Sequence, residues 1–331
     1  MKDLSQAESA TPSASQSAWT QLQYGMFIHF GPNTFSGQAW GDGVFPASGF
    51  APAKLDCRQW ARMAVDAGMK YAVLTAKHHD GFCLWPSEHT EYSVKNAGVR
   101  EDVVGKFIAA CAEYGLKAGF YYSLWDRNCP FYEDDGAYAD YMRAQIGELL
   151  TGYGDILELW FDGAWDKDAP GRDWRRYPEF GSEAATGSRW QWKALYEHIH
   201  ALQPNCLVVN NSSSSRPGKP LYLPVDIRTS EHFDFIYEER VCQAELSTDW
   251  RDRDGTVRFL PLEFCTSLNP DWFHIGRNHF LHPSAATIAA WRKTANLAGA
   301  NLLLNVGPNG DGLVPEYHAA YLRAADRIVS G

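Results

Sequence analysis

Short apolar runs alternate with longer amphipathic stretches along nearly the whole chain, and that alternation leaves few folds open. MFIHFG (26–31), YAVLTAKHH (71–79), KAGFYYSL (117–124), ILELWFDG (156–163) and LVVNNS (207–212) read as five strands. Three more follow: VDIRTSE (225–231), shorter and weaker, then LEFCTSL (262–268) and NLLLNVGP (301–308). Between them lie stretches with apolar residues at helical spacing: CRQWARMAVDAG, EDVVGKFIAACAEYG, YADYMRAQIGELLTGYG, WQWKALYEHIHALQP and SAATIAAWRKTANLAG, with PEYHAAYLRAADRIV after the last strand. Gly68 and Gly115 are placed as helix C-caps, and Pro204 as a stop. Eight apolar runs interleaved with helices predict parallel βαβ units.

An open doubly wound sheet and a closed (β/α)8 barrel both produce this pattern. Two features favour a single TIM-type barrel with an irregular sixth strand. Polar groups gather at the strands' C-terminal ends (His29, His78, His79, Tyr121, Asp162, Asn210, Glu231 and Asn305), the rim from which barrel enzymes build their sites. No GxGxxG follows the first strand, against a dinucleotide-binding sheet. Residues 1–20 read as a polar lead-in and 21–331 as the barrel domain.

Charge narrows the partners. A net charge of −10 argues against nucleic acid and anionic membrane surfaces, which need a positive face. No apolar stretch is long enough for a membrane span, and the N-terminus lacks the apolar core of a secretion signal. The latter suits a cytoplasmic protein or a mature form whose leader has been removed. Seven scattered cysteines without CxxC pairs read as mostly buried thiols rather than a zinc site. The sequence leaves the oligomeric state open.

Asp162 ends a strand run apolar enough to be buried on both faces, where a carboxylate emerging into a loop can be held rigidly and partly desolvated. It reads either as a nucleophile or base, or as a turn aspartate before Gly163. In KHHDGF (77–82) two histidines follow the second strand, and a turning backbone lets both enter the barrel mouth. There they would hydrogen-bond a ligand, hold a carboxylate or bind metal. Against metal, the first strand supplies only His29, without a neighbouring H-x-H. Glycosidic cleavage needs a second carboxyl group. Glu231 is favoured by its place at a strand end. Glu263, starting the seventh strand, reads as deeper and structural, an arginine's partner, and Glu238 and Glu239 as a solvated loop.

The segments YGMFIHFGPNTF, YAVLTAKHHDGFCLWPSEHTEYSV, GFYYSLWDR, ELWFDGA and NLLLNVGPNGDG resemble glycoside hydrolase family 29, the retaining α-L-fucosidases. The similarity runs from about Tyr24 onward, with gaps at about 164–191 and 213–258. It implies Asp162 as nucleophile, and His29, His78, His79, Tyr121 and Trp160 as fucose-binding residues. The segment Thr229-Ser230-Glu231 resembles the acid/base segment of one branch, which again points to Glu231. Many relatives have Glu-Trp where this chain has Ala39-Trp40, and Asn-Asp-Arg where it has Asn210-Asn211-Ser212. A pocket arginine is therefore missing unless Arg216 or Arg228 substitutes. The family's common C-terminal β-sandwich is expected either to be absent or to lie beyond the sequence given.

The expectation is exo-hydrolysis of terminal α-linked L-fucose by double displacement, on a fucosylated oligosaccharide or glycoconjugate, with no metal or organic cofactor. A wall from Trp40, Trp85 or Trp125 would pack on the fucose methyl group. The two alternatives are a metal-dependent barrel hydrolase and a non-catalytic fucose-binding barrel.

Overall fold

A computed structural model describes residues 10–164, 187–211, 218–231, 246–251, 255–276 and 280–331. Arg216, Glu238, Glu239 and Cys242, and most of the two stretches where the family resemblance breaks, lie outside these residues.

Eight parallel strands form one sheet: β1 (Tyr24–Ile28), β2 (Tyr71–Lys77), β3 (Lys117–Ser123), β4 (Glu158–Asp162), β5 (Leu207–Asn210), β6 (Arg228–Glu231), β9 (Leu262–Ser267) and β10 (Asn301–Asn305). Their spatial order is β5-β4-β3-β2-β1-β10-β9-β6. The two ends meet where Val209 bridges Ile227 in parallel, just ahead of β6, which completes the barrel. All eight strands fall within the runs expected from sequence, apart from β1, which begins two residues early. A feature not anticipated is the antiparallel hairpin of β7 (Asp249–Arg251) and β8 (Val257–Phe259), leading into β9.

The expected helices are present as α3 (Cys57–Asp66), α4 (Val103–Tyr114), α5 (Asp135–Gly152), α6 (Trp192–Leu202), α7 (Ala285–Leu297) and α8 (Glu316–Ser330). Two short helices precede them, α1 (Ala14–Thr20) and α2 (Pro32–Ser36). Asp56, Asp102, Asp134 and Ser284 cap α3, α4, α5 and α7 by accepting from first-turn N–H groups. Among the described residues no helix is long and apolar enough to cross a membrane.

Side-chain alternation along the strands sorts the core into two layers. Phe27, Tyr71, Val73, Tyr121, Trp160, Val209, Ile227, Cys265 and Leu303 fill the barrel. Met26, Leu74, Phe120, Tyr122, Leu159, Phe161, Val208, Phe264 and Leu304 face the helices. Large interior groups need small neighbours. A Cβ on Gly25 would lie 2.5 Å from the Tyr71 ring, and one on Gly119 would lie 2.8 Å from Glu158 Cγ.

The floor of the barrel is closed from the N-terminal lead-in. Ser13 and Gln16 form a capping box that starts α1. Trp19 then inserts fully buried into the inner cluster and donates its indole N–H to Glu158. Gln16 Nε2 donates to the carbonyls of Asp226 (2.9 Å) and Phe259 (2.8 Å), and Asn301 Nδ2 to that of Trp19 (3.0 Å). Above this plug sits Glu263, buried as expected. Its partners are Tyr71 Oη (2.7 Å) and Trp160 Nε1 (2.9 Å) rather than an arginine. Burial pushes its carboxyl up to about 7.

Six of the seven cysteines are described; all are free thiols, and all but Cys129 are buried.

Candidate active site

The strand ends bring the expected residues to one rim. Asp162 is the last residue of β4, paired in register with Ser123 of β3. Its carbonyl accepts from Leu124 N (2.7 Å), and the neighbouring carbonyl of Phe161 accepts from Asn211 N (2.8 Å). The next residue is glycine for a reason. Gly163 has φ +73°, and a Cβ there would lie 2.9 Å from Trp125 Cβ. Asp162 is thereby aimed into the mouth with its side chain 16% exposed, enough for a ligand to reach it.

Three side chains meet its carboxylate. Tyr121 Oη donates to Oδ2 (2.9 Å), Asn211 Nδ2 donates to Oδ1 (3.2 Å), and His79 Nε2 lies 3.6 Å from Oδ2. Asn211 Nδ2 also donates to Glu231 Oε2 (2.8 Å). Since both carboxyl groups reach one nitrogen, the two oxygens are at most about 6 Å apart. Burial first, and the charge of Glu231 second, push the Asp162 carboxyl up from 3.8 to about 6; bonds from Gly163 N–H, Tyr121 and Asn211 oppose the rise.

His29 continues β1 and is fixed by Asn305, the last residue of β10. Asn305 Nδ2 donates to Ser267 Oγ (2.9 Å) and to the Trp272 carbonyl (2.7 Å), so its Oδ1 faces His29. That oxygen accepts from the His29 ring at Nδ1 (2.8 Å), which makes Nε2 the lone-pair nitrogen. Burial lowers His29 to about 3, so the ring is neutral at ordinary pH.

His78 and His79 both enter the mouth, with ring centroids 4.0 Å apart. A register shift between Thr75 and Lys77 in the pairing of β2 with β3 explains how. Lys77 faces outward, where it bonds Asp126 and the Tyr122 hydroxyl, both at 2.9 Å, and the two histidines follow the strand end inward. Ser123 Oγ donates to the Trp125 carbonyl (2.6 Å) and accepts from His79 Nδ1 (2.7 Å). His79 Nε2 is then an acceptor. Burial holds that ring at about 3, so its approach to Asp162 is not an ion pair. His78 stacks on Tyr121 (5.4 Å, 17°), burial lowers it well below the usual range, and its buried Nδ1 has no partner among the described residues.

Trp160 lies under this group, stacked on Tyr121 (5.7 Å, 21°) and tied to Glu263. Trp40 and Trp125 form one wall, with the Trp40 ring 6.0 Å and the Trp125 ring 5.4 Å from His79. Trp85 takes no part. It is buried in the outer layer and donates to Glu148 on α5 (2.8 Å), because its segment runs back over the outside of β2. Arg228 does not take the place of the relatives' pocket arginine, and Arg216 lies outside the described residues. Thr229 and Glu231 are the inward residues of β6, so Arg228 faces out, donating to the carbonyls of Leu260, Gly218 and Ser247.

The sequence reading missed the opposite wall. Trp272 lies 5.1 Å from His29, and Phe273 lies 5.4 Å from His29 and 4.9 Å from His78. The available signal was an aromatic pair, Trp272-Phe273, in the loop just after the seventh strand run, on the same rim as the other site residues. It also missed Asn211 as a link between the acids: from that segment it placed Asn210 at the rim, and named Asn211 only where the family's Asn-Asp-Arg is altered. Among the described residues no group of three or more His, Cys, Asp and Glu is placed to hold a metal ion.

A closed parallel barrel with a carboxyl pair, neutral histidines and aromatic walls at its C-terminal rim defines the class: a (β/α)8 protein of the glycoside-hydrolase type. The alpha-L-fucosidase family model matches residues 45–328, and the chain belongs to that family. Alpha-L-fucosidase 1 of Arabidopsis thaliana is 33% identical over 312 residues, covering 92% of this chain and 57% of that protein. A relative from Oryza sativa subsp. japonica is 35% identical over 320 residues, covering 92% and 56%. The crystal structure of a glycoside hydrolase 29 family member from an unknown rumen bacterium superposes with a TM-score of 0.79 at 33% identity, covering 97% of this chain and 57% of that one. The chain thus spans a little over half the length of these relatives.

Proposed function

We propose that the chain is an exo-acting α-L-fucosidase that releases terminal α-linked L-fucose from glycans with net retention. One observation carries the reading: Asp162 and Glu231, from different strands, converge on a single amide nitrogen at the rim. Their separation is compatible with the ~5–5.5 Å of retaining pairs and short of the wider gap an inverting enzyme needs.

In the first step the Asp162 carboxylate attacks the anomeric carbon. The bond to the aglycone oxygen breaks, and that oxygen takes the proton of Glu231. In the second, Glu231 removes a proton from water as its oxygen displaces the ester, freeing Asp162 and restoring the Glu231 proton. His29 and His79, neutral and with Nε2 lone pairs, would accept from sugar hydroxyls, and His78, stacked on Tyr121, packs beside them. Tyr121 holds Asp162 while Trp160 supports Tyr121 from below. Trp40 and Trp125 on one side, and Trp272 and Phe273 on the other, supply apolar surface for the sugar face and its methyl group.

Asp162→Gly tests the assignment. Turnover of an aryl α-L-fucoside is expected to disappear with the fold intact, and azide is expected to restore it as β-L-fucosyl azide. Wild-type activity in that variant would remove Asp162 from the role.

A further inference from the structure

Asn211 occupies the space between the two acids and is held from both ends. Its backbone N–H donates to the Phe161 carbonyl (2.8 Å), which fixes it against the strand that carries Asp162. Its side-chain oxygen accepts from Thr229 Oγ1 (3.2 Å), on the strand that carries Glu231. With Oδ1 so engaged, Nδ2 is the atom facing the carboxyl groups, and it bonds Asp162 Oδ1 and Glu231 Oε2. A flipped amide would keep a bond to Thr229, whose hydroxyl accepts as well as donates, but would set its oxygen against the Asp162 carboxylate and give up both donated bonds to the acids. Asn211 is buried, so water is a poor substitute for these contacts.

We propose that Asn211 is a positioning residue for the acid pair, a neutral double donor that fixes the spacing of Asp162 and Glu231 and steadies the ionised form of the nucleophile. This rests on the assignment of those two residues given above. The amide's neutrality goes with the lost arginine: where relatives have Asn-Asp-Arg an arginine follows the acid, whereas in this chain an aspartate would stand as a third acid beside two that already repel. The bond to Glu231 has a directional consequence too. The bonded oxygen, Oε2, is thereby held in the orientation of an acceptor. Thr229 acts one step further back, by orienting the amide.

The test compares Asn211→Ala, Asn211→Asp and Thr229→Val with the unaltered chain, using an aryl α-L-fucoside. For Asn211→Ala, kcat is expected to fall about 10- to 100-fold while KM moves less than about threefold. The acid limb of kcat/KM should move up by about one pH unit, because Asp162 has lost a donor to its charged form. Asn211→Asp should move that limb at least as far, and Thr229→Val less far in the same direction. Titration of the Asp162 carboxyl by carbon-13 NMR reads the same displacement without turnover. An unaltered chain that hydrolyses no fucoside would therefore overturn the proposed function and leave the positioning role measurable. If Asn211→Ala and Thr229→Val keep the wild-type titration and acid limb, and lose activity only in proportion to unfolded protein, the role assigned to Asn211 is wrong.

Discussion

At the scale of single residues, the site works through burial more than through charge pairing. Asp162 is raised to about 6 and the neighbouring rings are held neutral, because the rim is desolvated before any ligand arrives. This has a cost in stability whose sign can be worked out. The folded-state value of Asp162 lies above its ordinary 3.8, so folding disfavours the ionised form. The full penalty is present above pH ~6 and disappears as pH falls below ~4, where the acid is protonated in both states. Asp162→Asn is thus expected to be more stable than the unaltered chain at pH 7 by on the order of 2 kcal/mol, and equal to it near pH 3.5. Thermal or urea unfolding at the two pH values checks this, and a variant less stable at pH 7 would contradict it. For Glu231→Ala, loss of activity should be far larger on alkyl or sugar leaving groups, which need protonation, than on activated aryl fucosides. Equal losses on both would move the acid role elsewhere. These two acids were legible in the sequence because each ends a strand run, where a barrel exposes its functional groups. Asn211 was not, because its significance lies in a contact across two strands, and nothing local distinguishes it from any other residue at a strand end.

Among the elements, strands announced themselves and loops did not. Runs such as YAVLTAK and NLLLN are apolar on both faces because one face fills the barrel and the other meets helices. The outward turn of Lys77 has no such signature, since a register shift depends on the partner strand. Trp85 was misplaced for a related reason: a tryptophan just beyond a rim motif can fold back over the outer layer as readily as enter the mouth. The lead-in was read by its composition, and a few Ser, Ala and Thr residues masked α1, whose Trp19 is buried inside the barrel. Trp19→Ala is expected to cost about 3–5 kcal/mol in equilibrium unfolding, from lost volume and from the buried Glu158 carboxyl losing its indole donor. A loss under about 1 kcal/mol would show that α1 is only appended to the floor.

For the whole molecule, topology does what local sequence leaves undone. Segments distant in the chain become neighbours because parallel strands in a closed ring present all their C-terminal ends to one opening. Fold class and family were therefore legible, while the far wall, Trp272 and Phe273, depended on which loops curl over the mouth. Cleavage of a terminal α-L-fucosyl bond by this acid pair would pass through a covalent intermediate on Asp162 and retain the anomeric configuration. Proton NMR of the first product formed from an aryl α-L-fucoside, recorded before mutarotation, tests it most directly. α-L-Fucose is expected to appear first and the β anomer only later. Initial appearance of β-L-fucose, or no release of fucose at all, would contradict it.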